Sequence, residues 1–188
     1  MKINANELRQ GNVLEHRGKL YTVIKAQHVS PGKGGAFVSC VLRDVMSGNK
    51  LDEKFRSGET VERVRIEELD YQFLFADDTS ATFMEESTYE QVQVERELLG
   101  DQADFLVEGM KVILSMYDGR CVGAELPPTV VLTVAETDPV VKGQTAANSY
   151  KPAVLSNGVK TQVPPFIDAG EKLVIRTEDG SYVERFKG

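Results

Sequence analysis

The sequence predicts an all-β chain divided into three small β-barrel domains. Short runs rich in Val, Ile, Thr, Tyr and Phe recur with Gly, Asp or Asn between them, at residues 19–29, 36–44, 60–66 and 71–76. The segment 109–122 aligns without gaps on 170–183, so one β unit occurs twice in the second half. Between the copies, Pro127-Pro128 interrupts any strand ladder.

With a break near Val64 to Glu67 and another at Pro127-Pro128-Thr129, the 188 residues divide into 1–65, 66–128 and 129–188. Domains of about 60 residues have small cores and suit five-stranded barrels. A hydrophobic content of 41 % is enough for such cores.

The first two runs, residues 20–29 and 36–42, flank Ser30-Pro31-Gly32-Lys33-Gly34-Gly35. Glycine supplies positive φ without a Cβ clash and Pro31 fixes one φ before the bend, so Lys33 is expected on an exposed hairpin tip. A phosphate-cradling loop is excluded by spacing. It needs a Gly separated by four residues from the Gly-Lys pair and a Ser or Thr after it, whereas here no Gly stands at that spacing, His28 and Val29 lie upstream and Gly34 follows.

The clearest helical signal lies in residues 87–99. Ser87 and Glu90 have capping-box spacing, and Glu95-Arg96-Glu97-Leu98-Leu99 runs into Gly100. The apolar period is weak, which limits the expected helix to a short one near the end. In the repeat, Gly109, Lys111, Asp118, Gly119 and Val122 are matched by Gly170, Lys172, Asp179, Gly180 and Val183. Apolar residues also coincide at Val112 and Leu173, Ile113 and Val174, and Leu114 and Ile175. Each copy reads as a hairpin with an Asp-Gly turn, and the pair as a duplicated barrel.

Composition narrows the function. Residues 1–64 carry 11 Lys and Arg against 7 Asp and Glu, residues 65–128 carry 4 against 15, and residues 129–188 carry 7 against 7. The net charge of -7 therefore divides as +4, -11 and 0. An acidic total opposes non-specific duplex binding, whereas the basic first third can touch RNA locally. Cys40 and Cys121 stand far apart in apparent strands without CxxC spacing, and His16 and His28 are the only histidines. No metal site and no Ser-His or Cys-His catalysis is expected. Glu67-Glu68 and Glu85-Glu86 are adjacent strand residues pointing to opposite faces, which suits solvated charge better than acid–base work. No run approaches the roughly 18 apolar residues of a membrane span, and residues 1–6 lack the apolar core of a signal peptide. A cytoplasmic location is expected.

The tip Ser30-Pro31-Gly32-Lys33-Gly34-Gly35-Ala36-Phe37 resembles the lysine loop of bacterial elongation factor P. Similarity to that family runs the length of the chain. Ala5-Asn6-Glu7-Leu8-Arg9-Gln10-Gly11 is similar to its amino-terminal turn, and Tyr89-Glu90-Gln91 with Glu97-Leu98-Leu99-Gly100 to its middle domain. Its carboxy-terminal signature is matched by Lys151, Ala153, Gly158, Val163-Pro164, Ile167 and Gly170, with Thr161 standing where an aliphatic residue is usual.

This resemblance implies a KOW/SH3-like barrel followed by two OB-folds in an L-shaped arrangement. It implies a non-enzymatic translation factor without cofactor that binds the 70S ribosome between the peptidyl and exit tRNA sites and relieves stalling at consecutive prolines. Lys33 is then the contact to the CCA end of the peptidyl-tRNA, carried on Pro31, Gly32, Gly34 and Gly35. It is also the candidate site of a β-lysyl or similar covalent extension, added by a lysine-modifying enzyme. The loop of Gly143, Gln144, Thr145, Ala146, Ala147 and Asn148 corresponds to the family's approach to the exit-site codon of the messenger RNA, though many members carry an acidic residue at the place of Gln144. Tyr182 and Arg185 are further RNA-contact candidates, and the factor is expected to act as a monomer. The alternative is a generic OB-fold RNA-binding protein with no role in peptide-bond formation. That reading wants a basic groove with aromatic platforms, yet the middle third is acidic and the chain has no Trp. An enzyme using Lys33 as an amine nucleophile needs a desolvated lysine, the opposite of a glycine-bordered tip. The hypusine-containing archaeal and eukaryotic relatives share a similar lysine loop but lack the third barrel.

Overall fold

The computed structural model describes residues 1–141 and 149–188. The chain is all-β, with three curled sheets in sequence. The first holds β1 (Lys2–Asn4), β2 (Val13–His16), β3 (Lys19–Val29), β4 (Phe37–Asp44), β5 (Lys50–Arg56) and β6 (Thr60–Val64), in the order β1-β6-β2-β3-β4-β5. Alternation in β4 explains its place. Val38, Cys40 and Leu42 are buried, while Phe37, Ser39, Val41 and Arg43 point outward. The inward set packs with Leu14, Val23, Phe55 and Val61, and the short 3-10 turn Ala5–Glu7 adds Ala5 to this core.

The second sheet holds β7 (Glu67–Ala76), β8 (Ser80–Glu85), β9 (Gln91–Glu95), β10 (Lys111–Tyr117) and β11 (Arg120–Glu125), in the order β11-β10-β7-β8-β9. The third holds β12 (Thr129–Thr137), β13 (Lys151–Leu155), β14 (Lys160–Val163), β15 (Lys172–Arg176) and β16 (Tyr182–Arg185), in the order β14-β13-β12-β15-β16. Strand for strand these are one topology. The repeat is also visible in the bonding. Gly109 has φ +82° and gives its N–H to Phe73 O at 2.9 Å, beside the bulge in β7; Gly170 has φ +90° and gives its N–H to Val134 O at 2.9 Å, beside the bulge in β12. The return bonds, Phe73 N–H to Met110 O at 2.8 Å and Val134 N–H to Glu171 O at 2.9 Å, also correspond.

Two expectations need correction. Ser87 and Glu90 do not cap a helix: residues 86–89 form the loop between β8 and β9, closed by Glu85 N–H to Glu90 O at 2.8 Å. The Ser87 and Thr88 hydroxyls instead donate to the Glu85 carboxylate at 2.8 and 2.7 Å. Pairing of β9 with β8 covers the β8 edge that a helix there would leave to water, so the ladder prevails over local propensity. The short helix at the end of that segment is present as α1 (Arg96–Leu99), stopped at Gly100 with φ +60°. The two Asp-Gly turns also differ. Asp118 and Gly119 both have positive φ, +50° and +75°, and form a two-residue turn, whereas at the second site only Gly180 is left-handed, φ +75°, in a longer loop closed by Arg176 N–H to Ser181 O.

The chain makes two compact units: residues 1–69 with 114–124, and residues 70–113 with 125–188. In the first, Tyr117 Oη donates to Glu15 at 3.5 Å. In the second, Thr177 Oγ1 donates to Pro127 O at 2.5 Å, and Asn157 Nδ2 to Asp104 O at 2.8 Å.

Candidate functional site

β3 and β4 pair antiparallel down to a last rung, Val29 opposite Phe37. Beyond it residues 30–36 are all exposed. Gly34, at φ +108°, is the position where the bend requires glycine; Gly32 and Gly35 lie outside the left-handed region. A Cβ on Gly32, Gly34 or Gly35 would meet none of the described residues within 4 Å, so the bareness of the loop serves no packing among them. Among the described residues Lys33 makes no hydrogen bond or ion pair. It is exposed, as expected for a hairpin tip.

The outward face behind this tip was not legible as a unit in the sequence. Register puts Lys25 across from Val41, Arg43 directly opposite Lys50, and Lys54 and Arg56 on successive outward positions of β5. All five cations are exposed, and none has an ion-pair partner among the described residues. Asp52 is the acidic residue on this face. Lys54 Nζ lies 5.1 Å from the ring centre of Phe37, at the foot of the loop. Like charges set opposite one another cost stability. Such an arrangement suits a polyanion running along the sheet toward Lys33. The alternate spacing of Lys50, Lys54 and Arg56 is its only trace in the sequence.

Other candidates are more committed to structure. Arg185 donates from Nη2 to Phe166 O at 3.0 Å, pairs through Nε with Glu171 at 3.2 Å and stacks 4.5 Å over the Phe166 ring. Tyr182 is partly buried and meets Tyr150 edge-on at 6.3 Å. Gly143, Gln144, Thr145, Ala146, Ala147 and Asn148 lie outside the described residues.

Cys40 is buried, with its thiol pushed up by burial and by Glu53; Cys121 is half-buried, raised by burial, and donates to Gly123 O. Neither is poised as a nucleophile. His16 Nε2 pairs with Glu53 at 3.1 Å between Tyr21 and Phe55, and His28 is exposed far from it in register. Glu85 is held by its two hydroxyls, which keep its carboxyl below the usual range, and Glu86 pairs with Lys111. No group of three or more His, Cys, Asp or Glu among the described residues could hold a metal ion. No helix among the described residues is long and apolar enough to cross a membrane.

Comparison with known proteins covers the chain. The elongation factor P KOW-like domain matches residues 4–61, the elongation factor P OB domain residues 66–124, and the elongation factor P C-terminal domain residues 130–185. Elongation factor P of Parvibaculum lavamentivorans is 54 % identical over 185 residues, 98 % of this chain and 99 % of that one. Those of Acidiphilium cryptum and Rhodospirillum rubrum are 53 % and 52 % identical, over 100 % of both chains. Among solved structures, a eukaryotic translation initiation factor 5A from Methanococcus jannaschii superposes with a TM-score of 0.53 at 20 % identity, covering 68 % of this chain and 92 % of its own. An eIF-5A family protein from Naegleria fowleri gives 0.54 at 15 %, covering 67 % and 98 %. At these identities the likeness is one of fold.

Proposed function

Because the chain belongs to the elongation factor P family, we propose that it binds the 70S ribosome between the peptidyl and exit tRNA sites and promotes peptide-bond formation at consecutive prolines. Proline is a secondary amine with φ locked by its ring, so its difficulty in the reaction is largely one of alignment. Lys33 lies along the CCA end of the peptidyl-tRNA and pairs its charge with backbone oxygens, holding the donor ester in a reactive geometry. The factor does no chemistry of its own. The single observation that carries this reading is the exposed Lys33 on a loop whose glycines clear none of the described residues, which makes sense if they clear RNA. The unpaired cations on the outward face of β3, β4 and β5 support it, since they provide a track for the tRNA phosphates.

A β-lysyl or similar extension of Lys33, added by a lysine-modifying enzyme, would lengthen the reach of the ammonium and add a second amine. The exposed tip offers that enzyme access from every side. The factor works in the cytoplasm, where ribosomes translate.

In vitro translation of a Pro-Pro-Pro reporter tests the reading. The protein should relieve stalling and Lys33→Ala should abolish relief with the fold unchanged by circular dichroism. Equal relief by both proteins would reject the role of Lys33. If neither gives relief, intact mass of protein purified from its native host separates a missing adduct from a wrong reading.

A further inference from the structure

The lysine loop is tied back to its barrel by one leg. Residues 30–35 make no backbone hydrogen bond among the described residues, but Ala36 O accepts from Ser57 N–H at 2.9 Å. Ser57 lies in the turn between β5 and β6, which closes on itself: Arg56 N–H donates to the Glu59 carboxylate and Glu59 N–H to Arg56 O, each at 2.9 Å. The amino-terminal 3-10 turn grips that turn from the other side. Ala5 N–H donates to Glu59 O at 2.8 Å, Asn6 Nδ2 donates to Ser57 Oγ at 3.0 Å, and Ser57 Oγ donates to Asn6 Oδ1 at 3.1 Å. Asn4 fixes the grip by accepting from Asn6 N–H at 2.9 Å, with Glu7 closing the capping box.

Asn6 is exposed and adds nothing to the core. Both ends of its amide are nevertheless committed to one hydroxyl 51 residues away. A pair of complementary bonds fixes direction as well as distance, because losing either lets the turn pivot. The turn holds the carbonyl from which the loop departs. We infer that Asn6 and Ser57 are positioning residues for Lys33: through Ser57 N–H and Ala36 O they set the angle at which the loop leaves the barrel. This rests on the reading of Lys33 as the group that contacts tRNA, and it adds a physical reason for the amino-terminal turn beyond capping.

The test uses Asn6→Ala, Ser57→Ala and Ser57→Thr in the full chain. Ser57→Ala keeps the backbone N–H and removes the grip, while Ser57→Thr keeps the hydroxyl. In the free protein, exchange of the Ser57 amide should quicken about fivefold in both alanine variants, the factor for one hydrogen bond of ordinary net strength, with the two exposed bonds on the one hydroxyl counted together as one. The 15N relaxation of residues 32–35 should show wider motion, with Tm little changed. Ser57→Thr should match wild type, and the double alanine variant should be no worse than either single one. In translation of the Pro-Pro-Pro reporter, the alanine variants should lower maximal relief more than they raise the factor concentration for half relief, since docking by the barrel face is intact. Unchanged exchange and relaxation in both alanine variants would overturn the inference. So would a loosened loop with full relief where Lys33→Ala gives none. Should Lys33→Ala itself keep full relief, the functional reading fails and exchange alone decides the brace.

Discussion

Gly119 and Gly180 occupy matching places in the repeat and share φ +75°, yet alanine should cost far more at Gly180. In the left-handed region a Cβ crowds its own backbone, at about 1 kcal/mol per residue. At Gly119 that is the whole expected cost, because a Cβ there meets nothing within 4 Å. At Gly180, which is buried, the new Cβ would stand 3.2 Å from Phe105 Cζ and 3.3 Å from Val159 Cγ1. Phe105 is itself buried, so its ring cannot swing into solvent. Overpacking of this kind costs about 1–3 kcal/mol, bringing Gly180→Ala to about 2–4 kcal/mol against about 1 kcal/mol for Gly119→Ala. Native-state amide exchange reads each site locally, in β15 for Gly180 and in β10 for Gly119. A Phe105→Leu background should lower the cost at Gly180 part of the way toward that at Gly119, since it removes the nearer of the two atoms in the way and leaves Val159 Cγ1. Equal costs at the two glycines, or no relief from Phe105→Leu, would refute the reasoning.

Further expectations concern charge. Lys54→Gln with Arg56→Gln removes two of the five outward cations, so the slope of log affinity for ribosomes against log salt should flatten by about 1.8, at about 0.9 for each phosphate no longer neutralised. Lys111→Gln, which removes a cation already paired with Glu86, should leave that slope unchanged in the same titration. Asp44 is buried, which raises its pKa, but the N–H groups of Ser47 and Met46, the Ser47 hydroxyl and Lys19 outweigh that and hold its carboxyl below the usual range. Its folded pKa is lowered, so its stabilisation is complete above the unfolded value of about 3.9 and is lost as pH falls through the lower native value. Urea unfolding from pH 6 downward should therefore show wild type losing more stability than Asp44→Asn below about pH 4, and parallel curves would contradict it. At pH 7, Asp44→Ala should cost about 2 kcal/mol in the same assay, because the Met46 and Ser47 N–H groups lose their acceptor.

Much of the fold was legible in the residue order. Alternation of buried and exposed residues in β4 and the recurrence of 109–122 in 170–183 are local or periodic signals. Both are present in the structure, the repeat in its strands and its Gly109 and Gly170 bonding rather than in its two turns, because side-chain period acts over a few residues. Lys33 was legible for the same reason. Where local signals competed with pairing they misled: the capping-box spacing of Ser87 and Glu90 is real, but β9 was claimed by β8.

What the chain by itself determined is therefore the all-β class, the duplicated unit and an exposed lysine between glycines. Tertiary structure decided the company that lysine keeps. Strand register brought Lys25, Arg43, Lys50, Lys54 and Arg56 to one outward face, and the packing of the first turn brought Asn6 to Ser57 and so to the foot of the loop. These residues lie far apart in sequence, and no period links them. Only the hydrogen-bonded ladder, which fixes which residue stands beside which and on which face, could bring them together.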